Sequence, residues 1–296
     1  MNTNTVNVNK VIGAIEGGGT KFVCAIFDLS GRILDQTEFP TTSPIETLAR
    51  TVDYFKRLES QFGELLALGV GMFGPITVNA ESERYGEILP TPKKGWEGAN
   101  IVVELERAFD GITIALDTDV NASAIGEGMK GAAQNLNSYV YITIGTGIGG
   151  GVVTNGKVVN GLVHPEIGHM SIHAHDSFSG VCPYHKNCAE GLASGTAINE
   201  RWGEKAQNLP ADHPAWRLEA KYLASLCQTL IAVMSPERII LGGGVMKQDH
   251  LLPMIVEEFE SLVGGYWSVP NDYIVKPILG GEAALYGCFE MAMKGL

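Results

Sequence analysis

Apolar stretches broken by short polar turns open the chain. The pattern predicts strands over residues 11–15, 22–27 and 33–39, joined by the turns EGGGTK and DLSG. A helical period follows over about 44–62, then a short apolar strand over 66–70 that runs into GMFGP. A helix over about 101–109 and a strand over 112–117 complete this half. The second half begins in the same way, with a strand over 139–144, the glycine turn GTGIGGG, a strand over 152–154, an Asn-Gly hairpin turn and a strand over 157–159. Helices are predicted near 193–205, 215–235 and 250–263 and from 282 onward, with a strand over 238–241 leading into GGGV. The same order of strand, Gly/Thr turn, strand, polar glycine turn and strand thus occurs twice, starting at Val11 and at Tyr139. Such a duplication predicts two similar α/β domains facing one another.

Composition supports this outline. With 45% hydrophobic and 18% charged residues over 296 positions, the chain can bury a core in each of two domains. Lys and Arg number 21 against 33 Asp and Glu, a formal net charge of −12, and no basic block interrupts the excess. A nucleic-acid or anionic-membrane partner is therefore not expected. The segment MNTNTVNVNK has neither a basic start nor an apolar run, so no signal peptide is predicted, and no apolar run reaches bilayer length. Five cysteines without framework spacing fit a reducing cytoplasm.

Glycine is in excess, at 37 residues. Gly145, Gly147 and Gly150 spell G-x-G-x-x-G, with Glu166 near the spacing of a ribose-binding acid. That pattern holds a dinucleotide only where it opens a helix, and here a hairpin follows. Three glycine clusters at strand ends remain: Gly17–Gly19 with Thr20 and Lys21, Gly145–Gly151 with Thr146, and Gly242–Gly244. Backbone N–H groups in such turns can point at phosphate oxygens, and two related turns can hold a polyphosphate from both sides. Eleven glycines lie in these clusters and are assigned to nucleotide approach; the rest read as ordinary turns and helix ends.

Two further constellations carry chemistry. Five of the seven histidines lie between His164 and His185, and Cys182, His185 and Cys188 follow at intervals of three. With His169 they make four ligands, a closed set that suits a structural zinc; by spacing alone, His173 or His175 could replace His169. The carboxylates are Asp117 and Asp119 in LDTDVNA, Glu166 in HPEIGH and Glu190 in CAEG. An Asp at a strand end before a helix is either an N-cap or a general base.

Taken together, IEGGGTKFVCAI, YGEILPTPKKGW, LDTDVNA, ITIGTGIGGG, HPEIGH, CPYHKNCAEG and ILGGGVM resemble the ROK family of sugar kinases, and most nearly its bacterial fructokinase branch. The resemblance implies an α/β fold of two similar actin-like ATPase (ribonuclease H-like) domains with an interdomain cleft. They would be divided as 1–117 and 118–296, with the last helix, about 282–296, packing back on the first. It implies Asp119 as catalytic base, and Glu166, Glu190, Thr118, Gly74 and Pro75 at the sugar. Glu16, Gly18, Gly19, Thr20, Lys21, Thr143, Gly145, Thr146, Gly147, Gly242, Gly243, Gly244, Val245 and Met246 would serve the nucleotide. His169, Cys182, His185 and Cys188 would bind Zn²⁺. Glu16, Thr118 and the spread of Cys182 and His185 depart from the general family pattern and match the fructokinase branch.

The expected activity is transfer of phosphate from ATP, with Mg²⁺, to the 6-hydroxyl of fructose, with domain closure excluding water. The implied assembly is a homodimer, and no DNA-binding segment fits ahead of the first strand. Rival readings are a kinase for glucose, mannose or an N-acetylhexosamine, a non-catalytic sugar sensor, and a zinc-stapled interaction module.

Overall fold

β1 (Lys10–Gly17), β2 (Lys21–Asp28) and β3 (Ile33–Pro40) form an antiparallel meander in a computed structural model that describes residues 10–296. The expectation of no signal peptide concerns residues outside that range. β4 (Glu64–Met72) lies parallel to β1 and β5 (Thr113–Thr118) parallel to β4, so the first sheet reads β3-β2-β1-β4-β5.

The second sheet repeats this plan. β6 (Tyr139–Ile144), β7 (Ile148–Thr154) and β8 (Lys157–Val158) form the meander, and β9 (Arg238–Gly242) and β10 (Ile274–Val275) add in parallel, in the order β10-β9-β6-β7-β8. Strand for strand the two sheets share one topology, so the duplication read from turns and strands is a duplication of fold.

The chain divides into two compact units. One runs up to Met129 and takes in Gly281–Leu296; the other is Lys130–Gly280. The expected division after residue 117 thus moves to the end of α3 (Asp119–Lys130), and the last helix belongs with the first unit.

In the first unit, α1 (Pro44–Phe62) begins where Ser43 Oγ accepts the Glu46 N–H at 3.3 Å, with Pro44 in the first turn and Glu46 complementing the helix dipole. Leu48, Thr51, Phe55 and Leu58 make its buried stripe. Phe55 and Leu68 close over Gly13, where a Cβ would collide with both. α2 (Ile101–Ala108) packs beside α1. The opposite face of the sheet carries α8 (Ala283–Gly295), whose Cys288 carbonyl occupies the place of a Gly69 side chain. α3 follows the same rule, since a Cβ on Gly287 would strike the Ala122 carbonyl. Trp96, fully buried, donates its indole N–H to the Thr42 carbonyl at 2.8 Å and ties the YGEILPTPKKGW segment to the start of α1.

In the second unit, α6 (Ala215–Met234) and α7 (Leu251–Val263) pack on one another around Leu223, Leu226, Cys227, Ile255 and Phe259. The helix predicted near 193–205 is α5 (Gly195–Trp202); α4 (Ala189–Ala193), just before it, was not expected. Ser194 breaks the run. It is fully buried, and its Oγ accepts the Ala197 N–H at 3.1 Å, starting a new helix where propensity alone continues the old one. β10 was not expected; two residues show no alternation, and only pairing with β9 makes them a strand. No helix among the described residues is long and apolar enough to cross a membrane. All five cysteines are free thiols.

Candidate functional site

The glycine turns occupy equivalent places in the two sheets. Gly18, Gly19 and Thr20 join β1 to β2; the Gly18 N–H donates to the Lys21 carbonyl at 2.9 Å, and the Thr41 hydroxyl donates to the Gly18 carbonyl at 2.6 Å. Gly145, Thr146 and Gly147 join β6 to β7, closed by the Gly145 N–H on the Gly147 carbonyl at 2.9 Å. Nothing lies within 4 Å of the place a Cβ would take on Gly19 or Gly145, so both turns present open backbone to an approaching ligand. Lys21 Nζ pairs with Glu38 Oε2 at 2.6 Å on the exposed side of the sheet.

The third cluster ends β9. Gly243 has φ +91°, and a Cβ there would run into the Ile144 backbone, so only glycine fits. Gly244 is open, whereas Val245 and Met246 are buried in the core. Thr143 is half-buried on β6.

The assignment of all eleven clustered glycines to nucleotide approach needs correction. Gly17, Gly149, Gly150, Gly151 and Gly242 lie within strands. Gly17 makes room for Met72 and Phe22, Gly150 for Ile167, and Gly242 for Tyr141. The glycine turn GTGIGGG is only its first three residues, because β7 already begins at Ile148.

Asp119 is the first residue of α3, yet it is not the cap. Thr118 Oγ1 accepts the Asn121 N–H at 3.1 Å and does that work. The buried Asp117 Oδ1 accepts the Thr118 N–H at 2.7 Å and the Asn121 side-chain amide at 2.6 Å. Asp119 Oδ1 accepts the adjoining Val120 N–H at 2.9 Å, at the positive end of the helix. The two readings of this Asp thereby separate: capping belongs to Thr118, and Asp119 is left half-buried for other chemistry.

Burial above all, and then the charge of Asp119, push the Glu16 carboxyl up to about 7, with Lys21 opposing. Gly74 and Pro75 follow β4 through a cis peptide, and the Gly74 carbonyl accepts the Thr91 hydroxyl at 3.4 Å.

In the second unit Glu166 is largely exposed, and Glu190 stands half-buried on the first turn of α4. His164, which the sequence singled out only as one of a group, is buried with Nδ1 3.5 Å from Glu166 Oε1. Its position two residues before Glu166 in an extended segment was the available signal, since alternate residues share a side.

His169, Cys182, His185 and Cys188 come together with all four ligand atoms within 4.8 Å of one another. Cys182 Sγ is 3.8 Å from His169 Nδ1 and 3.7 Å from His185 Nδ1, and Cys188 Sγ is 3.6 Å from His169 Nδ1. Ligands about 2.1–2.3 Å from one tetrahedral ion stand at this spacing. His173 and His175 are elsewhere: their rings meet at 5.0 Å, and His175 lies against Tyr222.

The duplicated strand order and the paired turns define a two-unit α/β protein of the actin-like ATPase fold. In structure the chain is similar to a ROK hexokinase from Thermus thermophilus (28% identity, 96% of this chain and 98% of that one, TM-score 0.81). It is also similar to a ROK glucokinase from Streptomyces griseus in complex with glucose and AMPPNP (25% identity, 96% and 99%, TM-score 0.75). The chain belongs to the ROK family, whose model matches residues 12–294. Among curated relatives it is 41% identical to a fructokinase from Pediococcus pentosaceus over 97% of this chain and 99% of that protein. It is 41% identical to a fructokinase from Zymomonas mobilis over 97% and 98%.

Proposed function

We propose that the chain is a carbohydrate kinase that transfers the γ-phosphoryl group of ATP to the 6-hydroxyl of D-fructose. The observation that carries the sugar assignment is the 41% identity to fructokinases along nearly the whole of both chains. Asp119 takes the proton of the 6-hydroxyl; the freed oxygen bonds to the γ-phosphorus as the bond to the ADP oxygen breaks. Its freedom from capping and its place at a helix N-terminus support that role. Glu166 and Glu190, with Thr118, Gly74 and Pro75, are assigned to the sugar. The turns at Gly18–Lys21 and Gly145–Gly147 take the phosphates, with Gly243–Met246 and Thr143 completing the nucleotide's surroundings.

Mg²⁺ bound with the nucleotide supplies neutralisation of phosphate charge, and Glu16 is the carboxylate we assign to it. Zn²⁺ on His169, Cys182, His185 and Cys188 would be structural, because four protein ligands leave no open position. A homodimer in a reducing compartment completes the reading; the five free thiols support the compartment, and sedimentation velocity tests the assembly.

The deciding experiment is ADP release measured across fructose, glucose, mannose and N-acetylhexosamines. Fructose is expected to give the highest kcat/KM, and a clear preference for another sugar overturns the assignment. In the same assay Asp119→Asn is expected to lose about 10²–10⁴-fold in kcat, with nucleotide affinity retained. Wild-type turnover in that variant would remove Asp119 from the role of base.

A further inference from the structure

Glu190 carries a second engagement besides the one that the resemblance implies. Its Oε2 accepts the Ile148 N–H at 3.0 Å. Ile148 is buried and directly follows Gly145, Thr146 and Gly147. A Cβ on Gly147 would collide with that same oxygen, so the carboxylate lies flush against the last residue of the turn. The segment after Glu190 grips the other side. Ser194 donates its N–H to the Glu190 carbonyl at 3.1 Å; Gly195 then donates its N–H to the Gly145 carbonyl, and Thr196 its hydroxyl to the Thr146 carbonyl, each at 2.7 Å. Gly145 and Thr146 are therefore held by the start of α5 and Ile148, just after the turn, by Glu190 of α4, while the place of a Gly145 side chain stays open.

We propose that Glu190 is a positioning residue for the second phosphate turn as well as a sugar contact, so that one carboxylate couples sugar binding to nucleotide binding. The inference rests on the kinase reading above. Oε2 is committed to the turn, and Oε1 is the oxygen left for a sugar hydroxyl. A carboxylate on a backbone N–H makes a charge-assisted bond, and its loss leaves the buried Ile148 N–H without an acceptor. A turn released in this way spends less time in the form that fits phosphate, which lowers apparent affinity in proportion. A sugar on Oε1 restrains the same carboxylate, and linkage requires the nucleotide to favour sugar by the same factor.

The test is calorimetric titration of the full chain with a Mg²⁺-bound non-hydrolysable ATP analogue in the absence of any sugar. Glu190→Ala is expected to raise Kd about tenfold or more, and Gly147→Ala to do the same with Glu190 intact. Glu190→Gln keeps a carbonyl oxygen for the Ile148 N–H and is expected to stay within about threefold of wild type, while its fructose affinity falls. In wild type, fructose tightens the analogue; in Glu190→Ala that factor falls to one.

A Glu190→Ala chain that loses fructose affinity but binds the analogue as wild type does would show a sugar contact only, and overturn the inference. If Glu190→Ala fails to fold, Gly147→Ala with unchanged Kd overturns it equally. A wild-type chain that binds no nucleotide overturns the kinase reading, and this inference with it. Nucleotide binding at wild-type affinity in Glu190→Ala overturns this inference alone.

Discussion

Glu16 is a buried acid whose carboxyl is held up to about 7, first by burial and then by the charge of Asp119. Because the folded value lies above the ordinary 4.5, the protonated form favours the fold. Its contribution is complete below pH 4.5 and is lost as pH rises through about 7. In nucleotide-free and Mg²⁺-free buffer, wild type is expected to lose stability relative to Glu16→Gln between about pH 5 and 8. Thermal melts of the two proteins across that window check it, and parallel curves would remove Glu16 as the cause. The thiols of Cys24 and Cys227, pushed up to about 12 by burial, stay protonated throughout and do not confuse the measurement. At this scale residue types were readable in the sequence, but their division of labour was not. That Thr118 rather than Asp119 caps α3 depends on which side chain turns back to the Asn121 N–H, and spacing does not encode that choice.

Elements show where local signals suffice and where neighbours override them. α1 matches its predicted bounds because Ser43, Pro44 and Gly63 mark its ends and its apolar stripe is regular. Ser43→Ala is expected to cost about 1 kcal/mol of stability by chemical denaturation. α8 has a different dependence. In an exposed helix Gly→Ala gains up to about 1 kcal/mol, but at Gly287 the new methyl meets the Ala122 carbonyl. Gly287→Ala is therefore expected to destabilise by about 1–3 kcal/mol or more; a stabilised variant would refute that close packing. Such glycines look like breakers in the sequence. In the structure they are contact surfaces: at Gly69 and Gly126, as at Gly287, a helix backbone approaches nearer than any side chain allows, and at Gly13 the Leu68 and Phe55 side chains do.

For the whole molecule, the prediction that bears most directly on stability concerns the cluster of His169, Cys182, His185 and Cys188. These four residues span a segment with little regular structure, so a metal bound there would supply much of its order. Removing metal with a strong chelator, or substituting Cys182→Ser, is expected to lower Tm by several degrees, with metal content following in elemental analysis. A chelated protein with unchanged Tm and no bound metal would refute the structural role. The same cluster divides the two sources of information. Cys182, His185 and Cys188 declared themselves by residue type and interval, while spacing left His169, His173 and His175 open; the family resemblance pointed to His169, and the path of the loop brings it to the cluster.

By itself the sequence determined most of the strand and helix pattern of both halves, their duplication, the places of the glycine turns and the candidate acids. These follow from local periodicity, turn chemistry and residue type, which act over a few neighbouring residues. The tertiary structure alone decided which glycines stand open and which are packed, where the two units divide, and that the Glu190 carboxylate accepts the Ile148 N–H. Those are contacts between residues far apart in the chain. No local pattern records them, because each depends on where the rest of the fold places its partner.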